Sequence, residues 1–420
     1  MEIAWDTWWS EPAFWKLITI PFISAIVGWA TNVLALKMTF YPLDFVGWKL
    51  LGWQGIIPSK AGVMAGTAVD LLTQKLLTIE ERFDQIEPER VAEEIEPALN
   101  RMAVQIINET LEQEAPLLWE SAPAMVKQRF YQRISEELPE VVEDIIQDIK
   151  THITELFDLR AMVVAELEND RELLNQIFLK VGDSEFRFIE RSGFYFGFLF
   201  GLIQMTLFGL ASLIFKFPEA YSLWILPAAG LFVGWATNVI ALKMIFEPLR
   251  PKQFGPWRVQ GLFLKRQMEV AGAYAKMVAG RILTAQKIFE TMLTGRASDR
   301  LLQLIQNHVK RAVDTTAGIS KPLLQLTQGT TTYVGIKNKI AKRFLGELPF
   351  AMRYMFPYAE EALDIENSLR TKMQGLGPVD FVSFLRPIFQ EDEWKLILVG
   401  AVLGFLAGLA QMILVFGGSL

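Results

Sequence analysis

The sequence predicts an all-α integral membrane protein, with four transmembrane helices and two helical-bundle lobes in the cytoplasm, arranged as two parallel repeats. Three observations carry this prediction. The 420 residues are 51% hydrophobic yet 21% charged, with a positive mean hydropathy, a balance usual for membrane proteins with large wet parts. Four apolar stretches are each about 20 residues long, which a hydrocarbon core of about 30 Å requires of a helix. And one segment occurs twice: VGWATNVLALKMTFYPL at 27–43 and VGWATNVIALKMIFEPL at 233–249 share 14 of 17 positions. Self-similarity at a fixed offset points to one structural unit used twice.

Residues 1–40 hold the first span, Leu17 to Leu36, bracketed by Lys16 and Lys37. Its acidic flank (Glu2, Asp6, Glu11) and its length argue against a cleaved signal peptide. Trp5, Trp8, Trp9 and Trp15 suggest an aromatic belt at its outer end. Residues 41–192 form an acidic lobe, with 29 acidic and 15 basic side chains. Val91, Ile95, Leu99, Met102 and Ile106 recur at helical spacing, as do Val142, Ile145, Ile149, Ile153 and Leu156. Thr78 with Glu81 makes a capping box, and Pro88 suits a first helical turn.

Residues 193–246 form a transmembrane hairpin, Phe194 to Phe215 and Leu223 to Leu242, with only seven residues between the spans. Residues 247–393 form a second lobe, basic this time, with 14 acidic and 21 basic side chains. Lys337, Lys339, Lys342 and Arg343 are its densest cluster. The charge contrast has three readings: drift of solvated faces, docking of the lobes on each other, or a basic lobe facing anionic headgroups. GTTTYVG at 329–335 reads as a short strand or loop, and no run alternates long enough for a sheet. Residues 394–420 hold the fourth span, Leu396 to Phe416.

Orientation follows from charge. Lys37, Lys49, Lys60, Arg187, Arg191, Lys243, Arg250, Lys252 and Arg258 gather at the span ends on the lobe side. The positive-inside rule puts both lobes in the cytoplasm and both termini opposite. Each half then runs in the same direction, as parallel repeats related by an axis along the membrane normal.

The chemistry open to the chain is narrow. Without cysteine there are no disulfides, thiolate metal sites or cysteine nucleophiles. His152 and His308, the only histidines, sit in charged helical sequence and read as solvated surface groups. No catalytic residue, metal site or cofactor is expected, and no nucleic-acid pattern accompanies the basic cluster. Gly28, Gly197, Gly201, Gly234, Gly404 and Gly408 clear grooves for close helix packing. Asn32, Asn238, Gln204 and Gln411 are amides within apolar spans. They either pair across helices or mark a polar path. Asn32 lies five residues from Lys37, about 7.5 Å of helix, which is off the midplane where transport sites usually lie. Lys37, Lys60, Lys243, Lys265 and Arg266 flank the spans and are candidates for headgroups or other anions. Pro42 and Pro248 should end the spans, with Trp48, Trp53 and Trp257 in the interface beyond.

A glycine, then Thr-Asn, then A-[LI]-K-M-x-F-x-P, followed by basic residues, resembles the domain of unknown function 445 family of bacterial membrane proteins, to which the YheB-like proteins belong. Lys265-Arg266 with Glu269, and the G-x-x-x-G-L-x-Q element at 404–411, look like that family's basic element and last span. The first copy departs from it, with Ser59-Lys60-Ala61 and Val63 in place of the basic pair and the glutamate. The resemblance implies a multi-pass membrane protein and supplies no reaction. The function expected first is therefore a non-enzymatic scaffold, tether or membrane-surface organiser. Its partners would be membrane lipids, and proteins docking on the acidic lobe. The alternative is a carrier of lipid or another amphipathic molecule, and the third a small-ion transporter. A scaffold predicts closed lobe cores, a carrier an apolar groove between lobe helices.

Overall fold

The computed structural model describes residues 12–48, 51–214, 224–318, 329–386 and 393–414. Trp5, Trp8, Trp9, Glu2, Asp6 and Glu11 lie outside them. Eight described helices reach 20 residues: α1 (Pro12–Phe40), α2 (Pro88–Glu114), α3 (Ala124–Thr151), α4 (Asp183–Ile214), α5 (Ile225–Phe246), α6 (Ser298–Ala317), α7 (Thr330–Met352) and α8 (Glu393–Leu414). Shorter helices connect them. The chain divides into two compact units. One comprises Met1–Ala68, Leu167–Tyr274 and Lys372–Leu420, the other Val69–Glu166 and Ala275–Thr371.

The first unit contains α1, α4, α5 and α8. Among the described residues, three helices are long and apolar enough to cross a membrane: Leu17–Phe40 within α1, Ile225–Phe246 and Glu393–Leu414. The expected second span falls on α4, whose last side chains, from residue 208, lie outside the described set. α1 packs along α4, and α5 along α8. The small residues set the distance. A Cβ on Gly201 would come within 2.6 Å of the Pro21 Cα, and one on Gly408 within 2.8 Å of the Pro227 Cα. Cβ atoms on Gly28 and Gly234 would strike the carbonyls of Gly193 and Gly400, and Gly197 and Gly404 meet those of Ser24 and Gly230. Backbones this close leave room for no side chain, the geometry that small residues four apart permit.

α1 stops at Phe40 and α5 at Phe246, just before Tyr41-Pro42 and Glu247-Pro248. Proline lacks the N–H that a further turn needs. A short antiparallel hairpin follows each. β1 (Val46–Trp48) pairs with β2 (Leu51–Trp53), and β3 (Lys252–Phe254) with β4 (Trp257–Val259). Neither hairpin was expected, because three residues per strand are too few to show an alternating period.

The second unit is a ring of four helices. α2 packs on α3 and on α7, and α6 packs on α3 and on α7. Two of the four come from each polar segment, so the interiors of the acidic and basic stretches build one bundle. Val91, Ile95, Leu99 and Ile106 are buried as their spacing predicted, and Pro88 opens α2. The second predicted face is not one helix. α3 ends at Thr151, His152 caps it, and Ile153 and Leu156 are buried on a separate short helix.

Three further expectations are corrected. The stretch 329–335 is the start of α7 rather than a strand. Burial of Tyr333, Ile336 and Ile340 outweighs the poor helix propensity of three consecutive threonines. Gly329 caps α7 at φ 88°, a conformation open to glycine. His308 is 6% exposed, not a surface group, and its Nε2 lies 2.7 Å from Asp148 Oδ2. Thr78 caps its helix in extended conformation without a side-chain bond; the capping bond forms instead at Thr284, which accepts from the Lys287 N–H.

Candidate functional site

The four-helix ring surrounds a cavity of ≈ 370 Å³. Each helix contributes apolar side chains: Leu99 and Ile106 from α2, Phe130 from α3, Val309 from α6, Ile340 from α7. Their presence on the inner face follows from the three- and four-residue apolar spacing of each helix. Trp119, on the short helix Pro116–Ser121, closes one side.

The few polar side chains of the wall are engaged with one another. Glu137 accepts from Arg133 Nε through Oε1 and from Thr316 Oγ1 through Oε2, both at 3.0 Å. The Tyr333 hydroxyl donates to Asp314 at 2.7 Å, and Lys337 pairs with the other Asp314 oxygen at 3.0 Å. Burial, reinforced by Asp314, pushes the Tyr333 phenol above its ordinary range. It is an uncharged donor at neutral pH. The cavity is therefore an apolar chamber with a mixed-charge rim, of a size typical of small-molecule sites.

The basic cluster on α7 helps to close this bundle. Lys339 pairs with Glu114 at 2.5 Å, and Arg343 with Glu109 at 3.0 Å. Glu109 and Glu114 belong to α2, in the acidic segment. Lys287 likewise pairs with Glu166. Of the three readings of the charge contrast, docking accounts for these side chains.

In the first unit the predicted span-end cations divide. Lys37, Lys243 and Lys265 are exposed, and Lys60 is half-buried at the end of the helix Ile56–Ser59. Arg266 is committed internally. Its Nη1 donates to both oxygens of Glu185 at 2.9 and 3.0 Å, and Nε donates to Glu269 at 2.8 Å. Burial works against its charge, but these bonds outweigh burial and raise its pKa. Glu185, 1% exposed, was not singled out from sequence. Its partner is 81 residues away in the chain, and a glutamate in charged helical sequence carries no mark of burial.

Two of the four amides in the predicted spans bond across helix pairs. Asn32, fully buried, donates to the Ile189 carbonyl of α4 at 2.7 Å. Asn238 donates to the Leu396 carbonyl of α8 at 2.8 Å. Gln204 and Gln411 are also buried. Asn32 Oδ1 and Gln411 Nε2 have no hydrogen-bond partner among the described residues. Nor is there, among the described residues, a group of three or more His, Asp or Glu side chains able to hold a metal.

No family model and no solved structure matches the chain. Partial likenesses to curated proteins do exist. A UPF0754 protein of Alkalihalophilus pseudofirmus is 33% identical over 116 residues, covering 24% of this chain and 31% of that protein. A UPF0754 membrane protein of a Synechococcus strain is 40% identical over 65 residues, 15% of this chain and 16% of its own. One from Shouchella clausii is 32% identical over 112 residues, covering 25% and 29% respectively. The chain thus spans less than a third of the length of each, and what these comparisons support is partial similarity to the uncharacterised UPF0754 membrane proteins of bacteria.

Proposed function

We propose that this protein is a multi-pass membrane anchor whose water-facing helical bundle holds an apolar or amphipathic small molecule. It acts as a carrier or receptor rather than an enzyme. The observation that carries this reading is the cavity of ≈ 370 Å³ inside the bundle. Its lining is almost wholly apolar and partly open, so an apolar molecule seated there would remove that lining from water, which a closed scaffold core has no need to do. Its size and apolar lining suit a small apolar molecule or an acyl chain.

The anchor has four spans on this reading, with both polar segments in the cytoplasm and the two halves as parallel repeats. Parity supports the fourth span. Val69–Glu166 and Ala275–Thr371 belong to one compact unit, so the chain between them crosses an even number of times. α5 is a candidate crossing, and α4 is the helix available to cross with it. α4 also exposes Tyr195, Leu199, Ile203 and Leu207 along one stripe, a face that lipid would cover. Matching bonds support the repeat: Asn32 to Ile189 and Asn238 to Leu396 join residues at equivalent positions of the two halves.

The test is mass spectrometry of the full chain in mild detergent. A defined stoichiometry of one acyl-bearing ligand is expected, and it should be lost in Ala103→Phe, which fills the chamber from α2. If the wild-type protein carries only exchangeable bulk lipid, the reading fails.

A further inference from the structure

The two hairpins hang from their helices by the same fixings. After α1, the Gly55 N–H donates to the Pro42 carbonyl at 2.9 Å, and Gln54 Nε2 to the Leu43 carbonyl at 2.7 Å. After α5, Gly261 donates to Pro248 at 3.1 Å, and Gln260 to Leu249 at 3.4 Å. A Cβ on either Gly55 or Gly261 would sit 2.7 Å from the carbonyl carbon of the last helical residue, Phe40 or Phe246. The first hairpin has two more ties. Trp53 Nε1 donates to the Met38 carbonyl at 3.1 Å, and Arg171 pairs with Asp44 at 3.0 Å. Met38 is in the last turn of α1, so the Trp53 bond also satisfies a carbonyl that the helix leaves open. Each hairpin is held firmly at the end of a helix apolar enough to cross the membrane.

Their surfaces differ at three aligned positions. Val46 is 63% exposed and Trp48 86%, on the same face of β1, while the Phe45 ring lies over Gly52 on the other face. The equivalents of Val46, Gly47 and Gly52 in the second hairpin are Lys252, Gln253 and Arg258, all exposed; those of Trp48 and Leu51 are Phe254 and Trp257, whose side chains lie outside the described set. Val46 lies four residues beyond Pro42, a reach of about 13 Å at ~3.3 Å per residue. The headgroup layer on each side is about 5–8 Å deep. The tip therefore has the reach either to turn back into the acyl boundary or to stand in water. A Trp and a Val on one face, next to a spanning helix, favour the boundary, where amphipathic aromatic rings are most stable.

We infer that the first hairpin is a membrane-inserting element whose Val46 and Trp48 side chains enter the acyl boundary of the lobe-side leaflet. The second hairpin, which presents Lys252, Gln253 and Arg258, stays at the headgroup level. The partner is the lipid surface itself. The absence of native cysteine makes every introduced thiol unique. Val46→Cys, Lys252→Cys and, as an aqueous reference, Leu117→Cys (82% exposed) replace side chains on the surface. Each is labelled with a nitroxide in the full chain, in vesicles of phosphatidylcholine and phosphatidylglycerol. The readout is the ratio of collisions with oxygen to collisions with a water-soluble nickel chelate. The inference expects a ratio severalfold higher at position 46 than at 117, with position 252 between them or equal to 117. Equal ratios at 46 and 117 overturn it, as does protection of position 46 from both reagents, which would mean that protein covers the hairpin.

Discussion

A glycine contributes most where its missing Cβ is replaced by someone else's backbone. Gly404 meets the carbonyl of Gly230 across the α5–α8 contact, so Gly404→Leu must push two helices apart. Overpacking of this kind costs about 1–3 kcal/mol. Gly335 and Gly346 lie within α7 with nothing within 4 Å of an added Cβ. There alanine lowers the entropy lost on folding, so Gly346→Ala should gain up to ~1 kcal/mol. Thermal midpoints of the two variants should therefore move in opposite directions. Lys265 and Arg266, adjacent in sequence, should behave just as differently. Lys265→Met removes an exposed charge and should fall within about 0.5 kcal/mol of wild type. Arg266→Met leaves Glu185 buried without its guanidinium and should cost about 3–5 kcal/mol. Equal midpoints for the two would remove the structural role given to Arg266. The close-packed glycines and the spanning asparagines were legible from sequence, because small and amide residues in an apolar run have few uses. Glu185 and His308 were not legible, because their partners are 81 and 160 residues away, and only the fold brings them together.

At the scale of elements, amphipathic helices wrote themselves into the spacing of their apolar residues. The hairpins did not, since their strands end before a period can repeat. α7 shows both sides of this. Its opening threonines read as extended, while Ile336 and Ile340 kept helical spacing and are buried. The lysines and the arginine at 337–343 were visible as a cluster, but not their partners on α2. Lys339 and Arg343 with Glu114 and Glu109 are part-exposed pairs, each worth about 0.2–1 kcal/mol. Lys339→Glu should lower the thermal midpoint at low salt, and adding Glu114→Lys should restore most of the loss. The restored part should shrink as ionic strength rises, since partly solvated charges are screened. A midpoint for Lys339→Glu that ignores salt, with no rescue by Glu114→Lys, would show that shape alone aligns α2 with α7.

For the whole molecule, the decisive step from chain to fold is that each polar segment contributes half a bundle. Sequence divides the chain into an acidic and a basic lobe, because charge is a property of stretches. Packing divides it otherwise, because α2 and α3 bury their faces against α6 and α7. Neither pair alone encloses the chamber, so the cavity depends on a topology that returns the chain to the same side of the membrane. That dependence makes topology a test of the fold. Leu117 in the first polar segment and Tyr354 in the second are both exposed, at 82% and 55%. Leu117→Cys and Tyr354→Cys should react with a membrane-impermeant maleimide from one and the same side: in intact cells neither should label, and after permeabilisation both should. Trp224 caps α5 at the far end of that span and is 48% exposed. Trp224→Cys should label in intact cells. Leu117 and Tyr354 on opposite sides would mean an odd number of crossings between them, and α2 and α3 could not then share a bundle with α6 and α7. All three on one side would mean that α5 does not span, and the four-span anchor would fall while the bundle and its chamber stood.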